Sequence, residues 1–139
     1  MVSCYYFSIF FWLCKHDLAS SGVNHNINDV VMVVRRPGGI DTMPANNRLL
    51  WLENGDDRVG LNHILGREYR VQEFANRGIE RDGILNFLHR TLQGEPFRTG
   101  SRPSPVNGRI EPFADFFVDG RVYRLAHGDN GFIISFYPQ

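Results

Sequence analysis

The sequence predicts an α+β fold, with amino-terminal helices packed on one face of a carboxy-terminal antiparallel β-sheet. Three observations carry this. Apolar residues recur at helical spacing in two stretches between Gly60 and Gly94. The segments "FADFFV" and "RVYRLA" flank Asp119-Gly120, a pair suited to a tight hairpin turn. A second turn, "GDNG", then leads into the strand-like "FIISFYP". Helices followed by a meander is the chain order of an α+β domain.

The opening "MVSCYYFSIFFWLC" is apolar and aromatic-rich, and Lys15, His16 and Asp17 end it. It falls short of the roughly twenty apolar residues of a membrane span. No basic region precedes it, as one would in a signal peptide, although "LASSG" suits a cleavage region. Three readings stay open: a poor signal or anchor segment, a piece that packs on a larger parent protein, and an added strand. The second is preferred. Cys4 and Cys14 both lie in this stretch, with no metal spacing and no cysteine partner in the rest of the chain. With "SSGVNHNIND" as a polar linker, residues 1–29 are expected to stand outside the core domain, which residues 30–139 form.

"VVMVV", Val30 to Val34, reads as a short buried strand, after which Pro37, Gly38, Gly39 and Pro44 rule out regular structure. "LLWLENGDD" reads as another brief strand closing in an Asn-Gly turn. In "GLNHILGREYR", Leu61, Ile64 and Leu65 make the buried stripe of a helix. His63 and Arg67, four apart, then stand together on a neighbouring face. A second helix, in "GIERDGILNFLHRTLQG", puts Ile79, Ile84, Leu85, Leu88 and Leu92 on one face and Arg81, Asp82, Asn86 and Arg90 mostly outside. Gly94 stops it. "EPFRTGSRPSPVNGRIEP", which carries Arg98, Arg102 and Arg109, is expected to be a mobile basic loop.

Pairing outward from Asp119-Gly120 sets Val118 opposite Arg121, and Asp115 opposite Arg124 on the alternate face. A turn at Asp129-Asn130 puts Arg124 opposite Ser135, whereas a turn at Asn130-Gly131 puts it opposite Tyr137. Both registers keep Arg124, Ser135 and Tyr137 on one face, because side chains alternate with period two. The other face, with Tyr123, Leu125, Phe132, Ile134 and Phe136, is the expected floor for the helices. A solvated sheet surface accounts for arginine, serine and tyrosine equally well. What would set this face apart is His63 brought to it.

At 139 residues the chain suffices for one domain with a core. A hydrophobic content of 42% and a formal net charge of zero exclude disorder and broad non-specific attraction to nucleic acid. Lys15 is the only lysine, so every other basic residue is arginine. That bias suits bidentate phosphate recognition, and a GC-rich coding sequence produces it too. No HxH, HExxH or carboxylate cluster appears, which disfavours a metal-dependent hydrolase.

Together, "GLNHILGRE", the leucine-rich second helix and the terminal "NGFIISFYP" resemble the barnase, EndoU, colicin-type and RelE-like ribonuclease superfamily, over about Gly60 to Gln139. The likeness is to the branch at the carboxy termini of bacterial polymorphic and contact-dependent toxins. There a "GLxHI" helix with a basic residue, and often a second histidine, precedes a sheet ending in "NGxIxSxYP".

The resemblance implies metal-independent RNA cleavage without a cofactor. The ribose 2′-hydroxyl attacks the adjacent phosphate and leaves a cyclic phosphate and a free 5′-hydroxyl. It makes His63 the acid or base, Arg67 a phosphate ligand, and Ser135 and Tyr137 donors to the phosphate. Arg124 joins from the face geometry alone, and Arg121 and Arg81 are further candidates for binding substrate. Where relatives often carry the second histidine this chain has Glu68, about 140° round a continuous helix from His63. Glu68 reaches the same site only if the helix ends or distorts near Gly66; otherwise His127 and His89 are candidates for the second group.

The implied partners are RNA, with transfer RNA the usual target, and a cognate immunity protein. A monomer is expected outside the immunity complex, with no stable membrane association. Delivery would be as part of a larger secreted or cell-surface toxin, with action in the target-cell cytoplasm. The alternative is a catalytically degenerate nuclease-fold module that only binds RNA or protein.

Overall fold

The computed structural model describes residues 2–5, 26–36, 40, 49–105 and 107–139. Among them the elements run β1 (Val2–Tyr5), β2 (Val30–Arg35), β3 (Leu49–Glu53), α1 (Gly60–Gly66), α2 (Glu68–Asn76), α3 (Ile84–Thr91), β4 (Arg98–Pro103), β5 (Ile110–Val118), β6 (Arg121–His127) and β7 (Ile133–Pro138). The fold is α+β, with two antiparallel sheets of order β1-β2-β3 and β4-β5-β6-β7. Trp51 and Phe132 form a single parallel bridge between β3 and the approach to β7.

The valine run of β2 is continuous because both of its faces are buried. Met32 and Val34, with Leu50 and Leu52 of β3, join the main core. Val30 and Val33, with Leu49 and Trp51, form a second small cluster against Phe132. A register shift between Val30 and Met32 lets Val30 and Val33 share a side despite their odd spacing. The preferred reading of the amino-terminal segment does not describe Val2–Tyr5, which pairs antiparallel with β2 as an added strand. Residues 6–25 of that segment lie outside the described residues.

One layer of helix covers one face of the second sheet. Ile64 of α1, Phe74 of α2 and Ile84, Phe87 and Leu88 of α3 pack on Ala114, Phe116, Tyr123, Leu125 and Phe136. The rings of Phe74, Phe87, Tyr123 and Phe136 all lie within 6.4 Å of one another, centroid to centroid. Arg36, just past β2, is 2% exposed and donates to the carbonyls of Leu92 and Gly94, which satisfies the open end of α3.

The expected second helix is shorter than its apolar spacing suggests: a 3-10 turn at Arg81–Gly83 precedes α3. The segment expected to be a mobile loop contains β4, paired along its whole length with β5. Its residues are polar and mostly exposed, because it is the edge strand of the sheet and buries little. The Asp119-Gly120 hairpin forms with both residues at positive φ, as a twist-matched turn requires. In the expected floor, Tyr123, Leu125 and Phe136 hold. An irregularity between Ala126 and His127 pairs His127 with Ile133, so Ile133 enters the core in place of Ile134, and Phe132 packs on Trp51 instead.

Candidate active site

Four side chains stand directly opposite one another across the second sheet, on the face away from the helices. They are Arg98 of β4, Asp115 of β5, Arg124 of β6 and Tyr137 of β7. Of the two registers open from sequence, the structure takes the one that pairs Arg124 with Tyr137. Ser135 lies on the same face, one alternation along β7 and opposite Ala126.

Asp115, fully buried, holds the middle of this row. Arg124 donates to it through Nε at 2.8 Å and Nη2 at 3.0 Å, and Arg98 donates through Nε at 2.8 Å. Burial alone would raise the Asp115 pKa. The hydrogen bonds from Arg124 and Arg98 outweigh it and hold the carboxyl below its ordinary value. The Asp115 hydrogen bond in turn raises the Arg124 pKa against the effect of burial, with a smaller contribution from Tyr137. The Arg124 guanidinium lies 3.8 Å from the centroid of the Phe113 ring. That ring occupies the space over Gly100, where a Cβ would come within 2.8 Å of it and oblige the ring to shift.

His63 is fixed by the start of α1. Gly60 has φ +82°, and a Cβ on it would stand 2.6 Å from the Glu53 carbonyl oxygen, so glycine lets the helix begin hard against the end of β3. The Asp56 carboxylate accepts from the backbone N–H groups of Arg58 and Val59 and shapes the preceding loop. Within that loop the Asp57 carbonyl accepts the His63 Nδ1–H at 2.9 Å, which leaves Nε2 as the nitrogen with a lone pair. The His63 side chain is buried, and this desolvation lowers its pKa. The Asp57 hydrogen bond opposes the shift, the charges of Arg70 and then Arg67 reinforce it, and Asp56 opposes it weakly. The imidazole is therefore mainly neutral near pH 7.

Between α1 and α2 the chain breaks at Arg67, which is extended at φ −94° and ψ 95°. The break redirects the next turn so that Arg70, not Arg67, reaches the sheet. Arg70 Nη1 donates to Ser135 Oγ at 3.2 Å, and its guanidinium sits 3.9 Å from the Tyr137 ring centroid. Arg70 thus joins the surroundings of His63 to Ser135, Tyr137 and the Arg124 row.

The expected residues divide accordingly. Arg70 contacts Ser135 and Tyr137, Arg124 pairs with Tyr137, and His63 stands on α1, which packs against β7. Arg67 is exposed and acts on His63 through its charge. Helix α1 does end at Gly66, yet Glu68 opens α2 exposed and is not among the charges that act on His63. Arg81 donates to the Leu65 carbonyl at 2.7 Å and closes the end of α1. Arg121 lies on the helix side, in a shallow cavity with Arg77, Arg90 and Asp119. His127 is fully buried, with Nδ1–H donating to the Gly128 carbonyl, and His89 belongs to α3 on the helix side. None of these four stands with Arg124.

Two members were missed from sequence. Arg70 follows His63 by seven residues, but the break at Arg67 removes any helical relation between the two, so their spacing gave no signal. Asp115 was legible opposite Arg124, but its role as the clamp was not. Among the described residues no group of three or more His, Cys, Asp or Glu is arranged to hold a metal ion, and no helix is long and apolar enough to cross a membrane. No protein-family model matches the chain, and no curated protein matches it.

Chemically, the arrangement offers an imidazole lone pair beside donors of two kinds. Arg70 and Arg124 are permanent cations, and Ser135 and Tyr137 are neutral hydroxyls. Such a set suits taking a proton while stabilising charge on a neighbouring tetrahedral anion.

Proposed function

We propose that the chain is a metal-independent endoribonuclease, as in the toxin branch whose "GLxHI" and "NGxIxSxYP" motifs it resembles. The observation that carries this reading is the bridge made by Arg70. One guanidinium contacts Ser135 and Tyr137 of β7, the same strand on which the His63 helix packs.

In this mechanism His63 Nε2 takes the proton from the ribose 2′-hydroxyl, and the resulting oxyanion attacks the adjacent phosphorus. Negative charge grows on the phosphorane oxygens, where Arg70, Arg124 and the hydroxyls of Ser135 and Tyr137 donate hydrogen bonds. The bond to the 5′-oxygen breaks as that oxygen takes a proton from solvent water, leaving a 2′,3′-cyclic phosphate and a 5′-hydroxyl, and His63 then returns its own proton to solvent. A lowered histidine pKa serves this order of events, since the base must enter the reaction unprotonated. Transfer RNA as the target and a cognate immunity protein as the inhibitor belong to the same proposal through the resemblance.

Expression inside a bacterial cell provides the test. Growth arrest with accumulation of RNA fragments ending in cyclic phosphate is the expected result, and His63→Ala is expected to abolish both. Growth unaffected by wild-type chain that is demonstrably folded and expressed would favour the degenerate binding module.

A further inference from the structure

We infer that Phe97 and Phe117 form a stacking platform for an unpaired nucleobase at the β4–β5 end of the row of Arg98, Asp115, Arg124 and Tyr137, which makes single-stranded RNA the substrate class. The inference rests on the ribonuclease reading for its choice of ligand and on separate side chains for its geometry.

Phe97 is 52% exposed and Phe117 is 62% exposed. The two rings pack edge to face at 5.9 Å and 88°. Phe117 lies on the same face of β5 as Asp115, two residues further along, which is about 7 Å by the rise of a strand. The Arg98 guanidinium sits 5.4 Å from the Phe97 ring while it is bound to Asp115, so Phe97 is drawn to that face too. Neither ring contributes to either buried cluster.

Charge identifies the occupant. The row beside the rings holds Arg98 and Arg124 against the single carboxylate of Asp115, and Arg70 stands on Tyr137 at its other end, so a polyanion is favoured along it. At the far end of the row Tyr69 is 59% exposed, with the Arg70 guanidinium 5.6 Å from its ring. Arginines flanked by open aromatic rings match a single strand, which presents both phosphates and unstacked bases. A duplex keeps its bases stacked inside and gives the rings nothing to hold.

The experiment measures binding to a short RNA that is 2′-O-methylated throughout and carries a fluorescent adenine analogue. Methylation removes the attacking hydroxyl, so the result does not depend on catalysis. Wild-type chain is expected to bind and quench the analogue. Phe97→Leu with Phe117→Leu is expected to weaken binding about tenfold and to lose the quenching, whereas Phe97→Trp with Phe117→Trp keeps both. A duplex of the same sequence is expected to bind more weakly. Wild-type affinity in the leucine pair, with an unchanged melting temperature, would overturn the platform and assign the rings to a protein contact. Failure of the wild-type chain to bind the single strand would overturn it as well. Binding and quenching as expected, with no cleavage of unmodified RNA, would sink the nuclease reading while the platform stood.

Discussion

The Arg70 guanidinium lies 3.9 Å from the centre of the Tyr137 ring and donates to Ser135, two residues earlier on the same strand. The ring packs against the guanidinium, and the hydroxyl accepts one of its N–H groups. An arginine held this way is preorganised for a phosphate in a manner that lysine cannot copy.

Arg70→Lys and Arg70→Gln are therefore expected to lose RNA cleavage by about a hundredfold or more, the usual scale for one lost donor to a developing oxyanion. The glutamine variant carries a second signature. Arg70 lowers the His63 pKa, so removing its charge raises that pKa and moves the acidic limb of the pH–rate profile to higher pH. An unmoved limb would separate Arg70 from His63.

Asp115 compensates two guanidiniums, one of them, on Arg124, almost wholly buried. Asp115→Asn removes the compensation and is expected to cost about 3–5 kcal/mol of stability, the scale for breaking a buried pair from one side. Chemical denaturation measures this. A loss below about 1 kcal/mol would show that Arg124 finds other solvation.

Burial is the leading cause of the lowered pKa of both His63 and His127. Each histidine binds a proton more readily when unfolded, so stability falls as pH drops below the ordinary histidine value of about 6.5. Thermal melts between about pH 7.5 and 5 should show a falling melting temperature, and His63→Gln should flatten the decline. A flat profile in the wild-type chain would contradict the burial of both rings.

Glu68 sits past the break at Arg67, exposed, and does not contribute to the field at His63. Glu68→Gln is expected to leave the cleavage rate within about twofold of wild type. A drop of a hundredfold, the scale of an acid–base group, would instead make Glu68 the second catalytic residue.

The sheet face was legible in sequence for a simple reason. Period-two alternation and the Asp119-Gly120 turn together confine Arg124, Ser135 and Tyr137 to one side, whichever register the next turn selects. The choice of Tyr137 as partner was not legible, because "GDNG" accommodates a two-residue turn at either position. Edge strand β4 escaped notice since its polar residues show no alternation, and its pairing depends on β5 beyond the next turn. That Arg70 and not Arg67 contacts the sheet turns on one residue's backbone: a continuous helix favours the four-residue spacing, and the extended conformation at Arg67 cancels it. The added strand β1 gains its order from pairing with β2, which no local pattern announces.

The central claim is that side chains alone cleave RNA, with His63 as the base. Its most direct test is incubation of purified wild-type and His63→Ala chains with single-stranded RNA in excess EDTA, followed by analysis of the fragment ends. The expected result is cleavage by the wild-type chain to 2′,3′-cyclic phosphate and 5′-hydroxyl ends, with none from His63→Ala. Cleavage that stops in EDTA and returns with magnesium, or that proceeds equally in His63→Ala, would contradict it.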